Sequence, residues 1–139
     1  AEVAAEYGMR IACESLRPEE TRIGFRLDQI RRMFDEVNHP AFKVMIDLTA
    51  VSVAGETIQD WFDAFGAENI IHSHFQDCNP YGHYVWGDGN RSLYEDVKCM
   101  LDNGYQGLFS QELTDRSYFA DPYYHDQRNM RNLRMYFGD

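Results

Sequence analysis

The feature that most constrains this chain is a regular alternation of short apolar runs with longer amphipathic stretches. A helical pattern opens the chain over 1–7 and ends at Gly8. Apolar runs typical of β-strands then occur at 9–16, 42–49, 70–77 and 107–113. Helical patterns follow them at 26–37, 57–66, 92–104 and 125–137. The sequence therefore predicts one α/β domain over 1–139, with a leading helix and four parallel strand-helix units.

Two architectures satisfy this order of elements, an open doubly wound sheet and part of a (β/α)₈ barrel. The nucleotide-binding form of the open sheet needs a glycine-rich turn after its first strand. Here the loop after the first predicted strand is RPEETR, at 17–22, and it contains no glycine. This observation weakens the nucleotide-binding alternative.

Each predicted strand has, at or near its end, a residue that can bind a metal or move a proton. These residues are Glu14, Asp47, His74 and Glu112. They are separated by about one strand-helix unit each, so all four fall at the carboxyl ends of parallel strands, where a barrel gathers its active site. His72 lies two residues before His74, so a strand would place it on the same face.

Three carboxylates and one imidazole form a donor set for a hard divalent cation. Such a set suits Mn²⁺, Co²⁺ or Mg²⁺, whereas Zn²⁺ is usually given more nitrogen or sulfur. Without a cation, three carboxylates within a few Å would raise one another's pKa. The sequence therefore predicts one divalent metal ion at this edge, with zinc the less favoured choice.

Charge and composition exclude several classes of partner. The chain has 13 Lys and Arg against 23 Asp and Glu, a formal charge of -10, and no local basic patch. Such a field repels phosphate backbones and anionic membranes, so we expect neither nucleic-acid nor membrane binding. The three cysteines are widely spaced and odd in number, which fits a reducing compartment better than a disulfide framework. We therefore expect a cytoplasmic protein.

These residues support a family resemblance. The stretches EYGMRIACESL (6–16), WGDG (86–89) and LDNGYQGLFSQEL (101–113), with the four spaced strand ends, resemble the carboxyl-terminal half of the xylose isomerase-like TIM-barrel superfamily. The similarity is to its sugar isomerase/epimerase branch, which includes ketose 3-epimerases of the tagatose and fructoselysine types. By this resemblance, Glu14, Asp47, His74 and Glu112 bind one divalent metal.

The resemblance implies proton transfer at C3 of a ketose or ketose derivative through an enediolate. Glu14 and Glu112 would face opposite sides of C3, one removing the proton and the other returning it. The same superfamily offers two further reactions, aldose-ketose isomerisation and dehydration of a polyol. A non-catalytic half-barrel that serves as an assembly module is the alternative from another class.

Further residues are expected around a sugar substrate. Glu20, six residues after Glu14, matches a family position that contacts a substrate hydroxyl; the alternative is a carboxylate at the start of a helix. His83 would lie near the metal site or in solvent. Asp77 would pair with a substrate amine or hydroxyl, or orient a neighbour. His72 would fill the interior or support the ligand His74.

Two departures from the family pattern bear on the substrate. Some ketose epimerases carry a substrate-binding His three residues after the Asp ligand and an Arg six residues after the His ligand. Those positions are Ala50 and Pro80 here. The pattern ESLRPEE with HYVWGDG is closer to the fructoselysine type, so sugar-amine conjugates are favoured over simple free ketoses.

A four-stranded parallel sheet is half of the eight-stranded barrel that the resemblance implies. Its edges would be bare and its barrel-interior face uncovered, because parallel sheets are normally enclosed by helices or closed into barrels. We therefore expect pairing, either with a second copy of this chain or with a missing amino-terminal half-barrel.

Overall fold

The computed structural model describes residues 1–137, and its strands form one parallel sheet. The strands are β1 (Ile11–Cys13), β2 (Phe42–Asp47), β3 (Ile70–His74) and β4 (Leu108–Ser110), and they lie in the order β1-β2-β3-β4. The helices are α1 (Glu2–Glu6), α2 (Leu27–Val37), α3 (Leu48–Ala54), α4 (Ile58–Phe65), α5 (Leu93–Asp102) and α6 (Pro122–Phe137). This is half of a TIM barrel, and the predicted fold class is confirmed.

Helix α3 was not predicted, and it changes the end of β2. The apolar run 42–49 predicts a strand that continues through Thr49, because the residues that follow Asp47 also have the composition of a strand. In the structure the strand stops at Asp47, whose side chain accepts a hydrogen bond from the Ala50 amide at 2.6 Å and so caps the new helix. Gly55 ends α3 with a φ of +70°.

The hydrophobic core lies between the sheet and the helices. Val44 and Ile46 of β2 are fully buried and pack against α4, where Trp61 has no exposed surface. Phe34 of α2 meets Phe65 of α4 edge to face, with ring centroids 5.6 Å apart. Burial on this scale holds the strands in register, and so it also fixes the positions of the side chains at the strand ends.

The opposite face of the sheet would form the interior of a barrel. Alternation along β2 places Met45 and Asp47 on that face, and the register pairs them with His72 and His74 of β3. Leu108, the partner of His72 on β4, is 72% exposed. Within residues 1–137, β1 and β4 each have a single strand neighbour.

Among residues 1–137, none of the helices combines the length and the apolar character that crossing a bilayer requires.

Candidate metal centre

The structure brings the four predicted strand-end residues together. Glu14 follows β1, Asp47 and His74 are the last residues of β2 and β3, and Glu112 lies two residues beyond β4. One donor atom from each lies within 4.8 Å of every other. Since neighbouring strands are in parallel register, with Asp47 opposite His74, the convergence follows directly from the sheet.

His74 lies at the middle of this cluster. Its Nδ1 atom is 2.7 Å from Glu14 Oε1, 3.3 Å from Glu112 Oε2 and 3.7 Å from Asp47 Oδ2. The nitrogen is buried, and none of these oxygens is aligned with it as a hydrogen-bond partner. Three carboxylates directed at one buried ring nitrogen form a donor set that a divalent cation would satisfy.

Asp47 is the most constrained member of the cluster, because two neutral donors hold its carboxylate. The Ala50 amide donates to Oδ1 at 2.6 Å, and the Gln76 side-chain amide donates to Oδ2 at 2.8 Å. Gln76 also donates to Thr49 Oγ1 at 3.1 Å, and it has no exposed surface. No role for Gln76 was predicted from the sequence. The feature of the sequence that could have indicated one is that Gln76 is a polar residue at the end of an apolar run, one position before Asp77.

His83 reaches the cluster from the long loop 78–91 and is 7% exposed. Its Nε2 atom is 3.2 Å from Glu112 Oε2 and 3.5 Å from Asp47 Oδ2. His83 therefore lies beside two of the predicted metal ligands and is shielded from solvent. The contacts in the structure are to two carboxylates of the cluster, and they place the imidazole where it can hold Glu112.

The ionisable groups of the cluster perturb one another strongly. Asp47, Glu112 and Glu14 together raise the pKa of His74 to about 12. Burial lowers the pKa of His83, but Asp47 and Glu112 outweigh it and raise that pKa to about 9. His74 and His83 lower the pKa of Glu112 to about 2. Burial opposes the charged form of Asp47, yet contacts with His74 and His83 hold its pKa well below the usual range. The carboxylates of Asp47 and Glu112 therefore stay ionised at neutral pH, as metal ligands must.

The sequence belongs to a known family. It matches the family described as xylose isomerase-like TIM barrel over residues 1–133. The chain is a member of the xylose isomerase-like TIM barrel family. It is 27% identical over 135 residues to fructoselysine 3-epimerase from Escherichia coli O157:H7, a match that covers 96% of this chain and 48% of that protein.

Two solved structures show how closely the fold agrees with other barrels. D-psicose 3-epimerase with D-tagatose, from Clostridium cellulolyticum H10, superposes with a TM-score of 0.75 at 22% identity, over 96% of this chain and 50% of that one. The IolI protein with a bound zinc atom superposes with a TM-score of 0.73 at 20% identity, over 96% and 50% of the two chains. The chain thus spans about half the length of the curated relatives and solved structures it matches.

A cavity of about 190 Å³ lies over the cluster of this xylose isomerase-like barrel. It is lined by Glu14, Ser15, Leu16, Arg17, Glu20, Asp47, Ala50, His83, Glu112 and Thr114. A larger cavity of about 470 Å³ lies at the amino ends of the strands, where Arg10, Ile70 and Gly107 line it. TIM barrels carry out their chemistry at the carboxyl ends, so the smaller cavity is the candidate active site.

Asp77 does not contact this cavity, and its predicted role needs correction. Its side chain has no exposed surface. Oδ1 accepts hydrogen bonds from the amides of Cys78 and Arg91, and Oδ2 accepts them from Gly87 and Gly89, all between 2.8 and 3.0 Å. Four backbone donors therefore use the carboxylate fully. Asp77 therefore organises the loop that carries His83, which is the orienting alternative given above, and its carboxylate does not line the cavity.

Glu20 and His72 occupy less direct positions. Glu20 lines the cavity, but its carboxylate accepts two hydrogen bonds from the Arg17 guanidinium. His72 is half-buried on the same strand face as His74, and the two rings meet edge to face with centroids 5.8 Å apart. Burial lowers the pKa of His72. These positions are compatible with a substrate contact for Glu20 and a supporting role for His72.

Proposed function

We propose that this chain carries the metal centre and the acid-base pair of a divalent-metal-dependent sugar epimerase that acts at C3 of a ketose derivative. Membership of the xylose isomerase-like barrel family and the similarity to fructoselysine 3-epimerase support this class of reaction. One geometric observation carries the proposal. Glu14 and Glu112, from the two outermost strands of the sheet, flank His74 at 2.7 and 3.3 Å.

The cation would be held by Glu14, Asp47, His74 and Glu112. When bound, it would supply positive charge that polarises the substrate carbonyl and stabilises the enediolate. The donor set of three oxygens and one nitrogen favours Mn²⁺, Co²⁺ or Mg²⁺, although the zinc in IolI shows that a similar fold can accept Zn²⁺.

Proton transfer, metal binding and positioning fall to different residues of the chain. Glu14 and Glu112 approach from opposite edges of the sheet, so one can remove the C3 proton and the other can return it on the opposite face. Asp47 is fixed by Ala50 and Gln76 and serves only as an anchored ligand. His83 touches Glu112 and would hold that carboxylate in place during proton transfer.

The substrate would be a sugar-amine conjugate before a simple free ketose. Ala50 lines the cavity and is 3% exposed, so no imidazole is available at that position to bind a sugar hydroxyl. Pro80 likewise offers no side-chain donor on the loop. Glu20 remains the candidate for a substrate hydroxyl. We also infer a cytoplasmic location from the three widely spaced cysteines, and no nucleic-acid or membrane partner from the charge of -10.

We further infer that four additional strands complete the barrel, supplied by a second copy or by another half-barrel. The exposed Leu108 on the barrel-interior face and the single neighbours of β1 and β4 support this pairing. Size measurement in solution tests it for the isolated 139 residues, since a monomer that unfolds cooperatively would contradict the claim.

The reaction is tested by ²H exchange from solvent into a ketose conjugate in the Mn²⁺-loaded protein. Exchange at C3 that is abolished by Glu14→Gln and by Glu112→Gln would support epimerisation. The matched control is Glu19→Gln, because Glu19 is exposed and does not line the cavity. Exchange at C1 instead of C3 would contradict epimerisation and indicate aldose-ketose isomerisation.

A further inference from the structure

The cavity above the metal cluster contains one cationic side chain that the proposed reaction does not use. Arg17 is the sole Lys or Arg among its lining residues, which include the acidic side chains of Glu14, Glu20, Asp47 and Glu112. Its side chain is 27% exposed, so it belongs to the wall of the cavity. A guanidinium in the wall of a substrate cavity is suited to recognising a carboxylate or phosphate.

The guanidinium is held in position by two loops. Nε and Nη2 donate to the two carboxylate oxygens of Glu20, at 3.2 and 2.7 Å, and Nη1 donates to the backbone carbonyl of Tyr81 at 3.0 Å. Arginine has five N–H donors. Within the described residues, three of these N–H groups of Arg17 donate hydrogen bonds to Glu20 and Tyr81, and the other two are available to a ligand. The Tyr81 contact also links the loop after β1 to the loop that carries His83 over the metal cluster.

The two free N–H groups of Arg17 face a cavity whose other charged lining residues are mostly acidic. Four carboxylates line a cavity of about 190 Å³, and the imidazole of His83, which also lines it, is already placed against two of them, Asp47 and Glu112. An anionic ligand would therefore be attracted mainly to Arg17 and to a bound cation. A planar fork that is already fixed loses little conformational freedom when it binds a second carboxylate. Glu20 holds this fork in place.

We propose that Arg17 is a specificity-determining residue that binds an anionic substituent, a carboxylate or a phosphate, carried by the sugar substrate. This inference rests on the proposed function, because it concerns the same cavity. It implies that the enzyme prefers ketoses bearing an acidic group at a distance from the reacting carbon. A carboxylate fits the cavity better than a phosphate, since a phosphate brings up to two negative charges to a site that already has four carboxylates.

Matched ligands test this proposal on the Mn²⁺-loaded protein by isothermal titration. The first pair is fructosylglycine, in which the glycine nitrogen is joined to C1 of fructose, and the corresponding glycinamide. The second pair is fructose 6-phosphate and fructose. We expect the anionic member of at least one pair to bind about tenfold tighter or more than its neutral partner. The pair that shows the preference identifies the anion as carboxylate or phosphate.

Variants separate recognition from a purely structural role for Arg17. Arg17→Met should bring the ratio of the affinities for the anionic and the neutral ligand close to one. Arg17→Lys keeps the charge but lacks the planar fork, so it should reduce this ratio less. The control Arg26→Met removes an arginine paired with Asp28 at 3.6 Å outside the cavity, and it should leave the preference unchanged. If Arg17→Met does not fold, the Arg17→Lys result carries the test.

Glu20→Gln gives a prediction of opposite sign. It removes one negative charge next to the guanidinium, while the amide oxygen of Gln can still accept a hydrogen bond from Arg17, so the preference for the anionic ligand should increase. If Arg17 only clamps the two loops, the preference should stay unchanged. Equal binding of anionic and neutral ligands by the wild-type protein would overturn the inference. Failure of the proposed function has a different signature, because C3 exchange would then be absent for every ligand whether or not the anionic preference is present.

Discussion

The buried amide of Gln76 donates a hydrogen bond to Asp47 at 2.8 Å and thereby fixes the innermost carboxylate of the metal cluster. Gln76 lies just beyond β3, and Asp47 ends β2, so the bond joins neighbouring strand ends. A neutral donor is well suited to this place, since it orients the carboxylate without competing for its charge.

Replacing Gln76 with Leu should weaken Mn²⁺ binding by about 10- to 100-fold, the usual cost of removing a group that orients a metal ligand. The measurement is a Mn²⁺ titration followed by electron paramagnetic resonance. Gln106→Leu is the matched control, because Gln106 is exposed and lines the cavity at the opposite end of the strands. Equal Mn²⁺ affinity in the two variants would show that Gln76 does not orient the ligand.

Asp77→Asn should destabilise the protein by about 2 kcal/mol, because the side chain is fully buried and an amide nitrogen cannot accept the two backbone hydrogen bonds that the replaced oxygen accepts. The free energy of unfolding in urea measures this loss. Asp28→Asn provides the control, since its side chain is 79% exposed and a surface change of this kind costs within about 0.5 kcal/mol. A stability of Asp77→Asn equal to that of the control would contradict the role in the loop.

Metal affinity should increase with pH across the neutral range. The three carboxylates raise the pKa of His74 to about 12, so a cation must displace a proton from Nδ1. While one proton is displaced, the apparent association constant for Mn²⁺ should rise about tenfold per pH unit. Titration calorimetry in buffers of different ionisation enthalpy counts the released protons. Affinity that is independent of pH between about 6 and 8 would contradict this coupling.

The same shift has a consequence for stability in the absence of metal. The folded-state pKa of His74 lies above its unfolded value of about 6.5, so its contribution is fully present below that value and is lost as pH rises toward about 12. The stability of the metal-free protein should therefore decrease from neutral to alkaline pH, and His74→Ala should reduce this slope. Urea unfolding at several pH values checks both statements.

The sequence was sufficient for the parts of the site that depend on local periodicity. Glu14, Asp47, His74 and Glu112 could be found because parallel strands of regular spacing bring their carboxyl ends together. Helix α3 could not be predicted, since its apolar residues fit a strand as well as a helix. The hydrogen bond that Asp47 accepts from the Ala50 amide caps the helix and favours it over the strand.

The errors and omissions concern contacts that depend on the path of a long loop. For Asp77 the sequence leaves open a contact with a substrate amine or hydroxyl and an orienting role. The choice depends on loop 78–91, which folds around its carboxylate, and no local pattern encodes that closure. The position of Arg17 in the cavity wall could not be predicted either, because its contact with Tyr81 joins residues 64 positions apart. Contacts at such separations require the tertiary structure.

Equilibrium dialysis with Mn²⁺ tests whether the four strand-end residues bind one divalent cation. About one Mn²⁺ per chain should bind to the wild-type protein, and His74→Ala should lose that binding. His39→Ala should retain it, because His39 lies before β2, at the other end of the strands, and outside the cluster. No Mn²⁺ binding by the wild-type protein, or equal loss in both variants, would contradict a metal site at these four residues.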